Sequence, residues 1–169
     1  LLSRLQEQIR MATEAMEKLA VRKAIHSSLY ELDQDVQWYL RRTADQMGTP
    51  KRKEKVNHVL SQIIDAQVRM LAPVTPHICE ELWGKKGGKG FVALASWPKP
   101  SLDKVDVKAE ESETLIESAI EDTQNIIKAT SMIPKKIYYY VAAAWKWKAY
   151  LTALQRSVSA KVVQGELMK

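Results

Sequence analysis

Leu5, Ile9, Ala12, Met16 and Leu19 recur at steps of four and three, which places them on one side of a first helix. After Ala20-Val21-Arg22 a second series runs through Ile25, Leu29, Leu32, Val36 and Leu40, and Gly48 ends it. Thr49-Pro50 then opens a third helix, with a capping side chain followed by proline at the first helical position, where its missing N–H costs nothing. The inner stripe predicted for that helix is Val56, Leu60, Ile64, Val68 and Leu71. Pro73 stops it, since proline biases the residue before it away from helical geometry. Thr75-Pro76 repeats the cap-then-proline device and starts a short fourth helix. There Ile78 and Leu82, and Cys79 and Trp83, lie four apart and form an apolar face, while Glu80 and Glu81 fall away from its centre. Four amphipathic helices on short connections predict an antiparallel helical bundle.

The pattern changes after Trp83. Gly84-Lys-Lys-Gly-Gly-Lys-Gly90 is expected to be a flexible loop, and residues 91–95 a short strand that ends at Trp97-Pro98. Residues 99–111 are polar and proline-bearing and are expected to be a linker. Ser112 is expected to open a fifth helix, with Ile116, Ile120, Thr123 and Ile127 on one side and acids in the first turn, where the helix dipole prefers them. Residues 136–142 have the β-branched and aromatic make-up of a strand, and 145–155 and 159–168 that of two closing helices. The expected fold class is therefore mainly α: a helical bundle over 1–98, a linker over 99–111, and a small α/β extension over 112–169.

Composition narrows the classes. A length of 169 residues suits one domain, with or without a small appendage. No apolar run approaches the roughly 18 residues of a membrane helix, and no membrane partner is expected. The N-terminus has neither an apolar signal region nor a cap before its first helix, so the chain is expected to be cut from a longer one. A single cysteine excludes an internal disulfide and suits a reducing compartment, so the expected location is the cytoplasm. The net charge of +6 is uneven: residues 1–108 carry +5, residues 109–127 carry −6, and residues 128–169 carry +7. A polyanionic partner and a plainly solvated basic surface both account for that.

The corner Leu71-Ala-Pro-Val-Thr-Pro-His-Ile-Cys-Glu-Glu-Leu-Trp83 resembles the proline-corner signature of the anticodon-binding helical domain in class I aminoacyl-tRNA synthetases. The leucyl, isoleucyl and valyl enzymes share a version of it. Arg22-Lys-Ala-Ile-His-Ser-Ser-Leu-Tyr-Glu-Leu-Asp-Gln-Asp-Val-Gln-Trp-Tyr-Leu-Arg-Arg42 resembles the second bundle helix of the leucyl enzymes of archaeal and eukaryotic-cytosolic type. Gly88-Lys-Gly-Phe-Val-Ala-Leu-Ala-Ser-Trp-Pro98, Ile120-Glu-Asp-Thr-Gln-Asn-Ile-Ile127 and Trp145-Lys-Trp-Lys148 point the same way. The resemblance implies a piece of a leucine-specific synthetase that holds the tRNA body, with the catalytic domain of the same chain as its second partner. The whole enzyme would use ATP, with magnesium, to attach leucine to its tRNA. The signatures His-Ile-Gly-His and Lys-Met-Ser-Lys-Ser are absent from this sequence, so no catalytic residue and no cofactor site are expected in it. The matching domain of a valyl or isoleucyl enzyme, and a helical protein-interaction module, are the alternatives.

Candidate contact residues follow from charge and phase. Lys51, Arg52, Lys53 and Lys55 fall in the first turns after Thr49-Pro50, where each exposed cation opposes the helix dipole by about 0.3–1 kcal/mol. A solvated helix start and a phosphate contact are the competing readings, and phosphate contacts use Lys and Arg without base specificity. Arg41 and Arg42 end a helix, where cations are favourable in any case. Trp145-Lys-Trp-Lys148 mixes aromatics with bases, as single-stranded nucleic-acid platforms do. Helical phase assigns Trp147 to the core with Tyr150, Leu151 and Leu154, and turns Trp145 and Lys148 towards a base or a neighbouring element. His77, Cys79 and Glu80 lack the companions a zinc site needs, so no metal is expected and Cys79 is assigned to the core. His26 and His58 stand in no acid–nucleophile pattern.

Overall fold

The computed structural model describes residues 1–156, with the backbone alone at Gln46 and Met47. Its helices are α1 (Leu2–Glu17), α2 (Val21–Ile25), α3 (Leu32–Thr43), α4 (Pro50–Leu71), α5 (Pro76–Lys86), α6 (Val107–Thr130) and α7 (Ala144–Arg156). A π-helical turn, His26–Glu31, joins α2 to α3, and short 3-10 turns lie at Ala44–Gly48, Val92–Leu94 and Leu102–Lys104. The expectation of a mainly α bundle holds. The expected helix over 159–168 lies outside the described residues. The chain divides into two compact units, one of Leu1–Ala119 and a second that begins at Ile120.

In the first unit the core is a seam between α1, α3 and α4: Leu5, Ile9, Ala12, Leu32, Ile63, Ala66 and Met70, with Val36 and Trp97 packed against it. A second cluster joins Val68 and Ala72 to Cys79 and Val92, with Leu71 and Trp83 at its edge. Helix α4 is thus buried on two sides; its expected stripe holds at Val56 and Val68, with Leu60 and Leu71 half-buried, and is displaced at Ile64. Ile63 is 2% exposed while Ile64 is 45% exposed, because a helix wedged between two clusters turns neither face outward in the simple amphipathic way.

The first helix ends earlier than its spacing suggests. Leu19 is exposed and takes the left-handed conformation (φ 54°), with its N–H on Met16 O at 3.0 Å and the Ala20 N–H on Ala15 O at 2.8 Å. This pair of bonds is a Schellman cap, in which a leucine fills the position that glycine usually takes. The second stripe is also re-phased. Across the π turn the buried residues are Ala24, Ser27 and Ser28, and Leu29 is turned outward. Side chains bond to carbonyls in and beside the turn: Ser28 Oγ donates to Ala24 O at 2.7 Å, Ser27 Oγ to Lys23 O at 3.3 Å, and Gln67 Nε2 to Ser28 O at 3.1 Å.

Both cap-then-proline starts form, with proline in the first turn of α4 and α5. Neither threonine caps through its side chain; the Thr75 hydroxyl turns back to Leu71 O at 3.3 Å and lies 3.4 Å from Cys79 Sγ. On α5 only Cys79 is buried, whereas Ile78 and Leu82 face outward. The helix also runs through the first part of the expected glycine loop, and ends where Gly87 is left-handed (φ 87°). A methyl group on Gly88 would overlap the indole of Trp83, so the close pass of the chain there requires glycine.

No strand forms among the described residues, which corrects two expectations. At residues 91–95 the chain makes a 3-10 turn, because the Glu80 carboxylate accepts the N–H groups of Val92 at 3.0 Å and Ala93 at 3.3 Å, donors that a ladder would need. Residues 136–142 are neither helical nor paired; Tyr140 is 95% exposed, and an isolated strand without an edge partner gains too little to form. The α/β character expected of the extension is therefore absent from its described part. Helix α6 starts at Val107, ahead of the expected Ser112, because Asp106 caps it: its carboxylate accepts the Ala109 N–H at 3.0 Å. The expected stripe of Ile116, Ile120, Thr123 and Ile127 is half-buried. Within the second unit, α7 turns the small Ala149 and Ala153 inward. Trp147, Tyr150, Leu151 and Leu154 are exposed, which corrects the assignment of Trp147 to a core.

The displaced register of α4 is testable by chemical denaturation. Ile63→Ala is expected to lower unfolding stability by about 2–5 kcal/mol, and Ile64→Ala by less than about 1 kcal/mol.

Candidate nucleic-acid interface

Lys51, Arg52, Lys53 and Lys55 are all exposed on the first turns of α4, and no acid lies in its first turn. Among the described residues none of these four is in an ion pair, so their charge is directed to solvent. Their positions oppose the helix dipole, and among the described residues no acidic side chain offsets that cost.

The two arginines that end α3 are used differently. Arg41 lies over the Trp38 ring, with its guanidinium carbon 5.8 Å from the ring centroid. Arg42 grips Glu113 of α6, Nε to Oε2 at 2.9 Å and Nη2 to Oε1 at 3.4 Å, while Trp38 Nε1 donates to the same carboxylate at 3.0 Å. The Arg42 hydrogen bond holds the Glu113 carboxyl below its ordinary value against a weaker upward push from burial. Arg42 therefore ties the start of α6 to α3. A second tie runs through Ser3, whose Oγ accepts the Asp106 N–H at 2.9 Å and donates to Glu110.

Further along α4, Asp65 accepts from Arg69 one turn on and from Lys86 at the end of α5. Arg69 also donates from Nη1 to Ser96 O at 3.1 Å. Burial pushes the Asp65 carboxyl up, but the Lys86 hydrogen bond and the charges of Arg69 and Lys86 outweigh it, and its pKa is lowered. On the adjoining turn Gln62 lies 3.0 Å from His58 Nε2 and accepts from Lys104 Nζ at 3.1 Å.

In the second unit Trp145 is partly exposed, with Lys146 Nζ 5.6 Å from its ring centroid, and Lys148 is exposed. Trp147 stands edge-on to Tyr150 at 6.2 Å. Among the described residues no group of three or more His, Cys, Asp or Glu side chains is placed to hold a metal ion. Cys79 is buried, and Glu80 is engaged with backbone N–H groups. No helix of the described residues is long and apolar enough to cross a membrane.

The family described as the anticodon-binding domain of tRNA ligase matches residues 1–139. The chain belongs to this family. Leucine–tRNA ligase of Pyrococcus abyssi is 41% identical over 170 residues, covering 100% of this chain and 17% of the relative. That of Pyrococcus furiosus is 38% identical over 170 residues, with 100% and 17% covered, and that of Methanosarcina mazei 37% over 169 residues, with 100% and 16% covered. The chain thus spans about one sixth of the length of these curated relatives. Trp145 and Lys148 lie beyond the span of the family match.

Within this anticodon-binding domain, the sequence reading singled out the start of α4 and passed over the rest of the same helix face. Lys51, Lys55, His58, Gln62, Asp65 and Arg69 follow at steps of four and three, a polar stripe that helical spacing alone makes visible. Asp65 ahead of Arg69 is a recognisable four-residue ion pair. Lys86 and Lys104 join the stripe only through the tertiary fold.

Because Asp65 titrates below its ordinary value of 3.8 when folded, its ion pairs stabilise the domain above that pH and are lost as the pH falls through the lower folded value. Thermal melts from pH 7 to pH 2 are expected to show Asp65→Asn less stable at neutral pH. They are also expected to show a shallower loss of stability on the acid limb than in the parent protein.

Proposed function

We propose that this anticodon-binding domain is a piece of a leucine–tRNA ligase, and that it holds the body of leucine tRNA through the sugar–phosphate backbone. One observation carries the reading: Lys51, Arg52, Lys53 and Lys55 stand exposed and without acidic partners, among the described residues, at a helix start that their charge destabilises. A polyanion is the ligand class that turns that cost into a gain, since each neutralised phosphate releases counterions. Identities of 37–41% to leucine–tRNA ligases across the whole chain support the choice of amino acid over the valyl and isoleucyl alternatives. Leucine is served by codons that differ at more than one position, which favours recognition of shape and backbone over a single anticodon.

In this reading Lys51, Arg52, Lys53 and Lys55 are the primary tRNA contacts. Arg41, over the Trp38 ring, is a further candidate, and Trp145 and Lys148 are secondary candidates on the second unit. Arg42, with Glu113 already in its fork, serves chiefly to place α6. The catalytic domain of the same polypeptide is the second partner. It would supply the ATP- and magnesium-dependent attachment of leucine, in the cytoplasm, and this chain would contribute placement of the tRNA. The exposed Tyr138, Tyr140, Val141 and Trp147 of the second unit favour a protein contact there in addition to RNA.

Filter binding of leucine tRNA tests the reading. Replacing Lys51, Arg52, Lys53 and Lys55 by Ala is expected to weaken binding about tenfold or more at low salt. It should also reduce the slope of log K against log salt by about 3–4. Unchanged affinity and slope, in this chain and in the full-length protein alike, would remove the assignment.

A further inference from the structure

A cleft of about 330 Å³ opens in the first unit between α1, α4, the end of α5 and the connector at residues 98–104. Its floor is apolar, made by Leu5, Ile9, Ala66 and Pro98. The rest of its lining is polar, and the cations Arg69, Lys86, Lys99 and Lys104 outnumber its one carboxylate. Asp65 is the single carboxylate in the lining, and it is already held by Arg69 and Lys86, so this trio alone leaves one positive charge. Lys99 and Lys104 add to it, although the neighbouring Asp103 partly offsets Lys104; Lys104 Nζ donates to the neutral amide of Gln62 at 3.1 Å, which in turn touches His58 at 3.0 Å.

The wall facing α4 is held in place. Trp97 Nε1 donates to Thr13 Oγ1 at 2.8 Å, Ser96 O accepts from Arg69 at 3.1 Å, and the Ser101 N–H donates to Gln6 Oε1 at 2.8 Å. With the Lys104–Gln62 bond, the connector is tied to α1 and α4 at both ends of the cleft, so little ordering is left to be done on binding. The volume lies near the lower end for ligand pockets, which is room for one nucleotide. Buried apolar residues (Leu5, Ile9, Ala66, Pro98) beside four cations suit a ligand with both a sugar and base and a phosphate.

The position of the cleft says where that nucleotide comes from. His58, Gln62, Asp65 and Arg69 continue, at steps of four and three, the face of α4 that begins with Lys51 and Lys55. Lys51 lies about 10 Å from His58 and about 27 Å from Arg69 along the axis, at 1.5 Å per residue. Arg52 and Lys53 point away from this face by helical phase.

We propose that this face of α4 is a single track for an RNA backbone, and that the track ends in the cleft, where one tRNA nucleotide is seated with its phosphate among His58, Lys99 and Lys104. The proposal rests on the tRNA-holding reading above and adds a discrete pocket to it. Free mononucleotide is the other source of the same chemistry.

The test uses the full-length protein with leucine tRNA and, separately, AMP. Lys99→Ala/Lys104→Ala removes two exposed side chains, so the thermal midpoint should stay near that of the parent. Binding of tRNA is expected to weaken about tenfold at low salt, with the salt slope reduced by about 2. Lys51→Ala/Lys55→Ala should lose more than Arg52→Ala/Lys53→Ala. If the Lys99/Lys104 variant binds tRNA as the parent does while the 51–55 variants lose affinity, the pocket assignment fails and the tRNA-holding reading stands. If the 51–55 variants also bind normally, both fail. Loss of AMP binding with tRNA binding intact would make the cleft a mononucleotide site and overturn the proposal. Equal losses from the Lys51/Lys55 and Arg52/Lys53 pairs would overturn the single track.

Discussion

Helix α4 is packed on two sides, against α1 and α3 through Ile63, Ala66 and Met70, and against α5 and the Val92 turn through Val68 and Ala72. That double burial is the constraint on which the rest of the first unit depends. It leaves Ile64 exposed on one side of α4 and, on another, a polar lane that runs from Lys51 through Lys55 and His58 to Gln62, Asp65 and Arg69. It also draws Asp65 and Arg69 partly under cover, where an unpaired charge would be costly. The arrangement is stable because Lys86, from the end of α5, completes the pairing and keeps Asp65 ionised. Helix α5 therefore serves both the core, through Cys79 in its first turn, and the polar lane, through Lys86 at its end.

The remaining elements are fitted around this axis by hydrogen bonds to carbonyls and carboxylates that regular structure leaves free. The π turn keeps Ser27 and Ser28 under α4, with Gln67 reaching the Ser28 carbonyl. Glu80 receives the amides of the Val92 turn, and Asp106, Ser3 and Glu110 join the start of α6 to α1. Arg42 and Trp38 share the Glu113 carboxylate and add α3 to the same joint. These bonds hold the connector and the first half of α6 against the bundle without a large apolar contact. That is consistent with α6 having no fully buried residue. The exposed positive charge at the start of α4 is thus mounted on a helix fixed from behind by the core.

The mainly helical make-up, the two proline starts, the corner at Pro73 and the first half of the basic lane were legible in the residues. So was the likeness to class I synthetases, and the match to the anticodon-binding family over residues 1–139 bears it out. The errors share one physical origin. Ile64, Ile78, Leu82 and Trp147 were assigned to buried faces because apolar residues four apart share a side, yet each stands outside while Ile63, Cys79 and Ala149 lie inside. Strand-like composition at 91–95 and 136–142 did not make strands, since pairing needs a partner that composition does not reveal.

What the sequence determined by itself is local. Proline removes a donor and restrains its neighbour, spacing of three and four aligns side chains, and an acid one turn before a base pairs with it. On those grounds the starts at Pro50 and Pro76 and the basic opening of α4 were read directly, whereas the rest of the Lys51-to-Arg69 stripe and the Asp65–Arg69 pair, encoded in the same spacing, were passed over. The tertiary structure decided which face of each helix met another, and which distant groups reached the lane. Helical period states which residues share a face, but burial depends on the shape of what packs against it. Lys86, Lys99 and Lys104 come to α4 from segments far along the chain, and only folding brings their charges together.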